Sequence, residues 1–478
     1  DLTYWEEDPE AAVKALNTCY TYLGNMDEQL YCEAMTDNAY TKQPNDATQN
    51  IGNGSYSTAD PYVKKVWDGR YTGIRMCNEL LENIDRVPDL DPELKKRYIG
   101  EAKVLRAYNY YELYTKFGDV PYTTKVLSIK ESMSIARTAK ATVIANVLAD
   151  LDEVINGNYL PTSYDADNKG RITRWAAMAI KAKIYLFEGN WTQVKNITST
   201  IMTEGGFKLF GSYAGLFEIA NEYNSEVILD AQYRPTSREH QMMYVFLPPT
   251  LGGYSQLSPL QELVDSYIML DGKTIKETGT SFDESHPYAN RDPRLKATVM
   301  YTGNSYTLAD GTEVVINCEK GEGKDGYGVG SDCSATGYYI KKYWDNAYRA
   351  TLYSGLNPIL IRYADILLMN AEALAELGEL DKTAWDATIK PIRDRAGFTL
   401  ASAVEFPEGA SKDKLIEIVR NERRSELALE GHRHKDIIRW RIADDVLNGW
   451  CHGLKTNEVV GTDNGYVRVE NRAFNANK

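Results

Sequence analysis

No stretch of this 478-residue sequence stays apolar for 18 residues, so no segment reads as a membrane-spanning helix. No basic stripe interrupts an acidic composition, with a net charge of −14 and a pI near 5.1, and nucleic-acid binding is therefore excluded. There is no CxxC pair among the six cysteines, which removes zinc ribbons and thioredoxin-type redox motifs. G-x-S-x-G, H-E-x-x-H and a P-loop are also missing. Gly and Pro are not enriched and no long low-complexity segment occurs, so extended disorder is not expected. The first residues lack Met, a basic n-region and an apolar h-region, which reads as a mature or trimmed chain.

Partial motifs fail on their chemistry. Tyr164–Gly170, "YDADNKG", starts like a calcium loop, but Lys169 and Ala176 stand where oxygen ligands are needed. His432 and His434 are two apart in a helical stretch and point to different faces, so a shared metal is not expected. No cofactor or metal is predicted. Cys318 and Cys333 bracket the Gly-rich "EKGEGKDGYGVGSD", which a disulfide could pin in an oxidising compartment.

What is present is helix after helix. Asp60-Pro61 reads as an N-cap followed by Pro at N1, and Val63, Trp67, Tyr71, Ile74, Leu81 and Ile84 keep helical spacing. A second helix is predicted over residues 92–117, apolar or aromatic on most faces, ended by Gly118. Two Ala-rich hairpins of about 34 residues follow, at 173–204 (breaking at Gly189-Asn190) and 362–397 (turning at Gly378). That length and texture match tetratricopeptide hairpins, which must stack to bury their apolar faces. The expected fold is mostly α, with four such helix pairs, two of them within the first 120 residues. Residues 1–204 and 351–478 form the frame, and 205–350 an irregular, loop-rich region packed on it. Asp310-Gly311 marks a β-hairpin there.

"NERRSELALEGHRHKDIIRW" (421–440) is the most charged segment. Leu415, Ile418, Val419, Leu427 and Leu429 make it helical and partly buried, with Gly431 ending the helix. Glu422, Glu426 and Glu430 repel at i,i+4 unless Arg423, Arg424 and Arg433 intervene. The segment reads as an ion-paired clamp, with Arg423, Glu426 and Arg433 structural.

This segment resembles the C-terminal signature of the SusD/RagB family. "AKVLRAYNYYELYTKFGDVPY", "NRDPRLKATVMY" and "RYADILLMNAEAL" also resemble family segments, in the expected order, so the resemblance spans nearly the whole chain. It implies a non-catalytic, cell-surface protein that binds an oligosaccharide or polysaccharide. It also implies a SusC-like TonB-dependent transporter as partner and an outer-membrane anchor through an N-terminal lipid that this sequence does not contain. Two rivals differ in class. A glycoside hydrolase would release sugar from glycans, and a tetratricopeptide adaptor would bind peptides in an open helical groove.

A saccharide site needs exposed rings with hydrogen-bonding groups beside them. The chain has 34 Tyr and 8 Trp. Trp67, Trp175, Trp191 and Trp385 fall on hairpin helices and read as core, and Trp440 belongs to the signature. The loop candidates are Tyr343, Trp344, Asp345, Asn346 and Tyr348 in "GYYIKKYWDNAY", Tyr254 after Gly252-Gly253, and Asn38, Tyr40 and Tyr56 in the 37–57 loop.

Overall fold

The computed structural model describes residues 3–42 and 47–474; residues 43–46 of the 37–57 loop lie outside it. The chain forms two compact units, one built from residues 1–25, 58–206 and 228–231, the other from 26–57, 207–227 and 232–478.

The first unit is a run of helices, each packed on the next. They are α1 (Ala11–Tyr20), α2 (Pro61–Asn83), α3 (Pro92–Phe117), α4 (Lys140–Asn156), α5 (Arg174–Phe187) and α6 (Trp191–Glu204). Local chemistry sets their ends. Asp60 accepts from the Tyr62 N–H ahead of Pro61, Asp91 does the same for Leu94, and Asn190 starts α6 by accepting from Gln193. Gly118 ends α3 at φ 66°. As its sequence predicts, α3 is buried on most faces, through Tyr98, Leu105, Tyr110, Leu113 and Tyr114 among others. Its Arg106 donates to Asn78 and Asp150, which ties α3 to both neighbours.

Two details depart from the sequence reading. The buried stripe of α2 is Val66, Arg70, Gly73, Ile74, Cys77 and Leu80, turned from the expected one, and Trp67 is only half-buried. The turn follows from Gly73, where an added Cβ would lie 2.8 Å from the Tyr22 Cβ. The helix α4 was not anticipated, yet Val143, Val147, Leu151 and Val154 form its buried face at helical spacing. It stands between α3 and α5, so the second helix pair closes beyond residue 120.

The second unit holds α7 (Tyr363–Leu377), α8 (Lys382–Ala387), α9 (Ile389–Ala396), α10 (Lys412–Glu426) and α11 (Arg433–Trp440). Gly378 and Gly397 cap α7 and α9 in the left-handed conformation. Small antiparallel ladders decorate the helices. In chain order they use β1 (Ala39–Thr41), β2 (Leu257–Pro259), β3 (Val299–Met300), β4 (Ser305–Thr307), β5 (Glu313–Val315), β6 (Tyr339–Ile340), β7 (Asn448–Lys455) and β8 (Tyr466–Ala473). β1 pairs with β2, β3 with β6, β4 with β5 and β7 with β8. The β4–β5 hairpin turns at Asp310-Gly311 as read. The β7–β8 pairing is not expected from the sequence, although Asn464-Gly465 is a strong turn signal; that turn pairs Thr462–Asp463 with the start of β8. The loop-rich stretch has its own core, around Phe246, Tyr267, Tyr306, Tyr338 and Tyr339.

The charged signature closes this unit from inside. Arg362 is fully buried and donates to Glu226 (2.6 Å), Glu426 (2.6 Å) and Glu430 (2.7 and 2.8 Å). Arg294 holds Asp292 (2.7 Å), Glu422 (2.7 Å) and Glu426 (2.9 Å). Arg423 bridges Asp365 (2.5 Å) and Asp436 (2.9 Å), and Arg433 holds Asp37 through both Nε and Nη2. Charged residues of "NRDPR", "RYAD" and "NERRSELALEGHR" therefore meet in separate clusters: Arg294 and Arg362 share Glu426, Arg423 bridges Asp365 and Asp436, and Arg424 and Arg433 hold Asp37. Helix α10 stops at Glu426, five residues before Gly431. The carbonyls of 426, 428 and 429 are taken by Arg362, Lys342 and Tyr343, so the helical ladder is not continued.

Cys318 and Cys333 do not pair. The Cys333 thiol donates to Lys324 O at 3.3 Å, while Cys318 sits in the core. The loop between them is pinned by polar contacts, with Asp325 accepting from the Thr250 N–H (2.8 Å) and hydroxyl (2.6 Å).

Glu33 gives this unit a pH dependence of unusual sign. It is buried on the turn Cys32–Met35 and accepts from Gly431 N–H (2.7 Å) and Asn38 Nδ2 (2.9 Å). Burial pushes its carboxyl up to about 7, against the pull of those two donors and of Lys342 and Arg433. Between its ordinary 4.5 and about 7 the folded state holds the extra proton, so stability is lost as pH rises through this window. The slope reaches ~1.4 kcal/mol per pH unit. Melting curves at pH 5 and pH 8 should differ less for Glu33→Gln than for the parent chain; an unchanged difference would remove Glu33 as its source.

Candidate functional site

The fold sorts the nine loop candidates by where their polar atoms go. Asn38 is buried, with its side chain donating to Glu33 and accepting from Arg424 Nε at 3.0 Å. Tyr40 is half-buried in β1, and its hydroxyl accepts from Gln49 at 3.4 Å. Tyr56 is half-buried, and its N–H donates to Asn50 O. The 37–57 loop thus anchors the chain through Asp37 and Asn38 rather than presenting them outward.

Tyr343 points inward. It is 4% exposed, takes a positive φ of 68°, donates its hydroxyl to Leu429 O (2.9 Å) and accepts from Gln29 (3.0 Å). Asp345 is buried too, with one oxygen accepting from Ile219 N–H (2.7 Å) and the other from Ala347 N–H (2.9 Å). Its charge adds to burial in raising the Glu218 carboxyl. These two side chains are buried and organise the segment from inside. Trp344 is half-buried. Its ring meets Tyr306 edge-on at 5.1 Å and its indole N–H donates to Thr307 O at 3.1 Å, which leaves ring surface but no donor. Asn346 is half-buried, and its Oδ1 has no hydrogen-bond partner among the described residues. Tyr348 is buried, and its carbonyl accepts from Thr351 and Leu352 N–H, forming the turn that delivers Tyr353.

Tyr254 is where rings gather. The Gly252-Gly253 corner is tight: a Cβ on Gly253 would lie 2.2 Å from Leu247 O, and Gly252 sits at φ 88°. The corner sends Tyr254 back beside Tyr244, whose O accepts its N–H at 2.9 Å. The two rings stack at 6.1 Å and 26°, and Tyr353 meets Tyr244 edge-on at 6.1 Å. Tyr353 is 40% exposed and the other two are half-buried. Burial, then the neighbouring Tyr244, raises the Tyr254 phenol, so it stays a neutral donor and acceptor. A Cβ on Gly252 would touch Leu352 at 3.4 Å, so the 247–256 corner adjoins the 345–354 turn. Tyr254, Tyr244 and Tyr353 therefore form one surface; of these only Tyr254 is a predicted site residue, and Tyr353 lies beyond the predicted "GYYIKKYWDNAY" segment. Tyr244 and Tyr353 were not singled out from sequence. The aromatic spacing around "QMMYVF" and "LYSGLNP" carries no sign that these rings converge.

Trp344→Ala should lower stability by roughly 2 kcal/mol, since a partly buried indole and its hydrogen bond are both lost. It should weaken saccharide binding less than Tyr254→Ala does. A thermal melt and a calorimetric titration of each variant check this ordering.

A cleft of about 490 Å³ lies elsewhere in this unit, lined by Asp37, Asp265, Asn421, Arg424, Asn448 and Trp450 among others. Its charges are largely engaged with each other, Arg424 with Asp37 at 2.9 Å and Glu262 with His452 at 2.8 Å, and the Arg468 guanidinium lies 5.5 Å from the Trp450 ring. The tyrosine surface brings three rings into contact with one another, whereas the cleft has the single ring of Trp450. Among the described residues no group of His, Cys, Asp or Glu is placed to hold a metal ion.

Comparison with known proteins supplies a wider context. A family profile described as the SusD family matches residues 216–475, and one described as "starch-binding associating with outer membrane" matches residues 11–186. A SusD-like protein of Formosa agariphila, P25, is 28% identical, covering 93% of this chain and 88% of its own. A crystal structure of a SusD-like carbohydrate binding protein from Bacteroides fragilis superposes with a TM-score of 0.86 at 28% identity, over 99% of this chain and 96% of that one. A laminarin binding SusD-like protein, at 24% identity and a TM-score of 0.70, shares the fold.

Proposed function

Because this chain belongs to the SusD family, whose profile spans its residues 216–475, we propose that it is a non-catalytic glycan-binding protein of the outer-membrane surface. It captures an oligosaccharide or polysaccharide and delivers it to a SusC-like TonB-dependent transporter, held to the membrane by a lipid on a preceding residue. The observation that carries the reading is the stacked surface of Tyr254 and Tyr244 with Tyr353 edge-on beside them. Sugar rings present C–H faces that pack on aromatic rings, and their hydroxyls need nearby donors and acceptors, here the phenols themselves. The carbohydrate-binding description of the Bacteroides fragilis relative points the same way.

The ligand thus lies in the 205–350 region and the turn that follows it, with the helices as frame. Trp344 adds a ring face at the edge. Tyr343, Asp345 and Tyr348 are buried in the segment that leads into that turn, Asn38 anchors the 37–57 loop through Glu33 and Arg424, and Tyr40 and Tyr56 lie half-buried within the same loop. The buried carboxylates serve the fold, since Glu226, for example, accepts from Phe210 N–H at 2.7 Å.

A glycan array probed with the soluble chain tests the reading. Binding to a defined glycan class that Tyr254→Ala weakens is expected, with no product released on prolonged incubation. Glycan cleavage would favour a hydrolase, and binding unaffected by the tyrosines would move the site. Co-purification of a TonB-dependent transporter from detergent-solubilised outer membranes tests the partner.

A further inference from the structure

Cys19 and Cys77, like Cys318 and Cys333, are free thiols in this structure, and the Cys19 thiol donates to Ala15 O at 3.3 Å, yet the fold brings Cys19 and Cys77 together. Cys19 is on α1 and Cys77 on α2, and both are completely buried. The register of the two helices follows from independent contacts. Arg70 donates to Tyr22 O at 3.0 Å, and a Cβ on Gly73 would lie 2.8 Å from the Tyr22 Cβ. Residue 77 is one turn beyond Gly73 on the same face of α2, and residue 19 is nearly one turn before Tyr22. Arg86 pairs with Glu6 at 2.9 Å while Arg70 reaches Tyr22, so the two segments run antiparallel, and that step sets Cys19 opposite Cys77. Gly73 matters twice: it fixes the register and it lets the backbones approach. A disulfide spans only ~4.4–6.8 Å between Cα atoms, closer than most helix pairs allow. The Cys77 thiol beside it, and then burial, push the Cys19 thiol far up, as expected for two thiols in contact away from water.

We propose that Cys19 and Cys77 form a disulfide that staples α1 to α2 when the chain folds in an oxidising compartment. The oxidant is a disulfide donor, either a thiol oxidoreductase or a small-molecule disulfide. One cysteine thiolate attacks a donor sulfur to give a mixed disulfide and one donor thiol. The second thiolate then displaces the other donor thiol, forming the Cys19–Cys77 bond. Two thiol protons are released from the chain, and the donor leaves reduced by two electrons. Both thiols are sealed once α1 packs, so exchange precedes the docking of α1 on α2, and the finished bond is shielded from reductant. The other four cysteines remain thiols; the Cys333 thiol donates to Lys324 O.

The test uses the whole chain, refolded in a mixture of reduced and oxidised glutathione, then denatured and alkylated without reductant. The expected digest contains one cross-linked species joining the Cys19 and Cys77 peptides, with Cys32, Cys318, Cys333 and Cys451 alkylated. The melting midpoint of the refolded chain should fall by several degrees when reductant is present throughout the melt. That of Cys77→Ser should not respond to reductant, and its Cys19 should alkylate after denaturation. Alkylation of both Cys19 and Cys77 in the parent chain, or linkage of either to another cysteine, would overturn the proposal.

Discussion

Arg362→Ala should leave the chain unable to reach a stable native state. The side chain is fully buried and donates to three carboxylates, Glu226, Glu426 and Glu430, and to the Glu426 carbonyl. Burial alone would push the Glu430 carboxyl up, yet Arg362 and Lys342 hold it at about 2. Removing the guanidinium strands negative charge with no water to solvate it. Breaking one buried pair costs ~3–5 kcal/mol, and here one cation serves three partners, against a total stability of ~5–15 kcal/mol for a typical domain. Lysine should not rescue it, because a point charge cannot reproduce the guanidinium's several directed bonds. The same carboxylates set the acid limit. Glu430 is depressed in the folded state, so its contribution is present above its ordinary 4.5 and lost as pH falls towards 2. Soluble yield, circular dichroism and a thermal melt report the result. An Arg362→Ala protein melting within a few degrees of the parent would mean that the network is not what closes this unit.

Tyr254→Ala combined with Tyr353→Ala should reduce glycan affinity by roughly 30-fold while the melting temperature moves little. Each ring stack is worth ~1 kcal/mol beyond area burial, and ~1.4 kcal/mol is a factor of ten. Both rings have exposed or half-exposed faces, so little core is lost. Tyr244 between them should be kept, because it contacts both. Titration calorimetry on a glycan identified by array gives the affinity, and a thermal melt separates binding from folding. Undiminished affinity in the double variant would place the site elsewhere, with the cleft beside Trp450 as the next candidate.

Much of this protein is decided locally and was therefore legible in its sequence. Asp60-Pro61, Gly118, Asn190, Gly378 and Gly397 act within a turn of themselves, so the helices they bound could be drawn from residue order alone. Four motifs in order were enough to point to the family, and the charges of 421–440 were enough to mark a clamp. The partners in that clamp were not legible. Arg433 meets Asp37 across 396 positions, and Arg294 meets Glu426 across 132, pairings that only the folded path of the chain selects. The same holds for the rings. Tyr343 and Tyr353 are the same residue type ten positions apart, but the first is sealed against Leu429 and Gln29 while the second faces water. Burial is set by what arrives from distant segments, and a tyrosine's own neighbours in sequence carry no record of it. Cys19 and Cys77 repeat the lesson: their meeting depends on a glycine at 73 that lets two helices close, which spacing between cysteines cannot express.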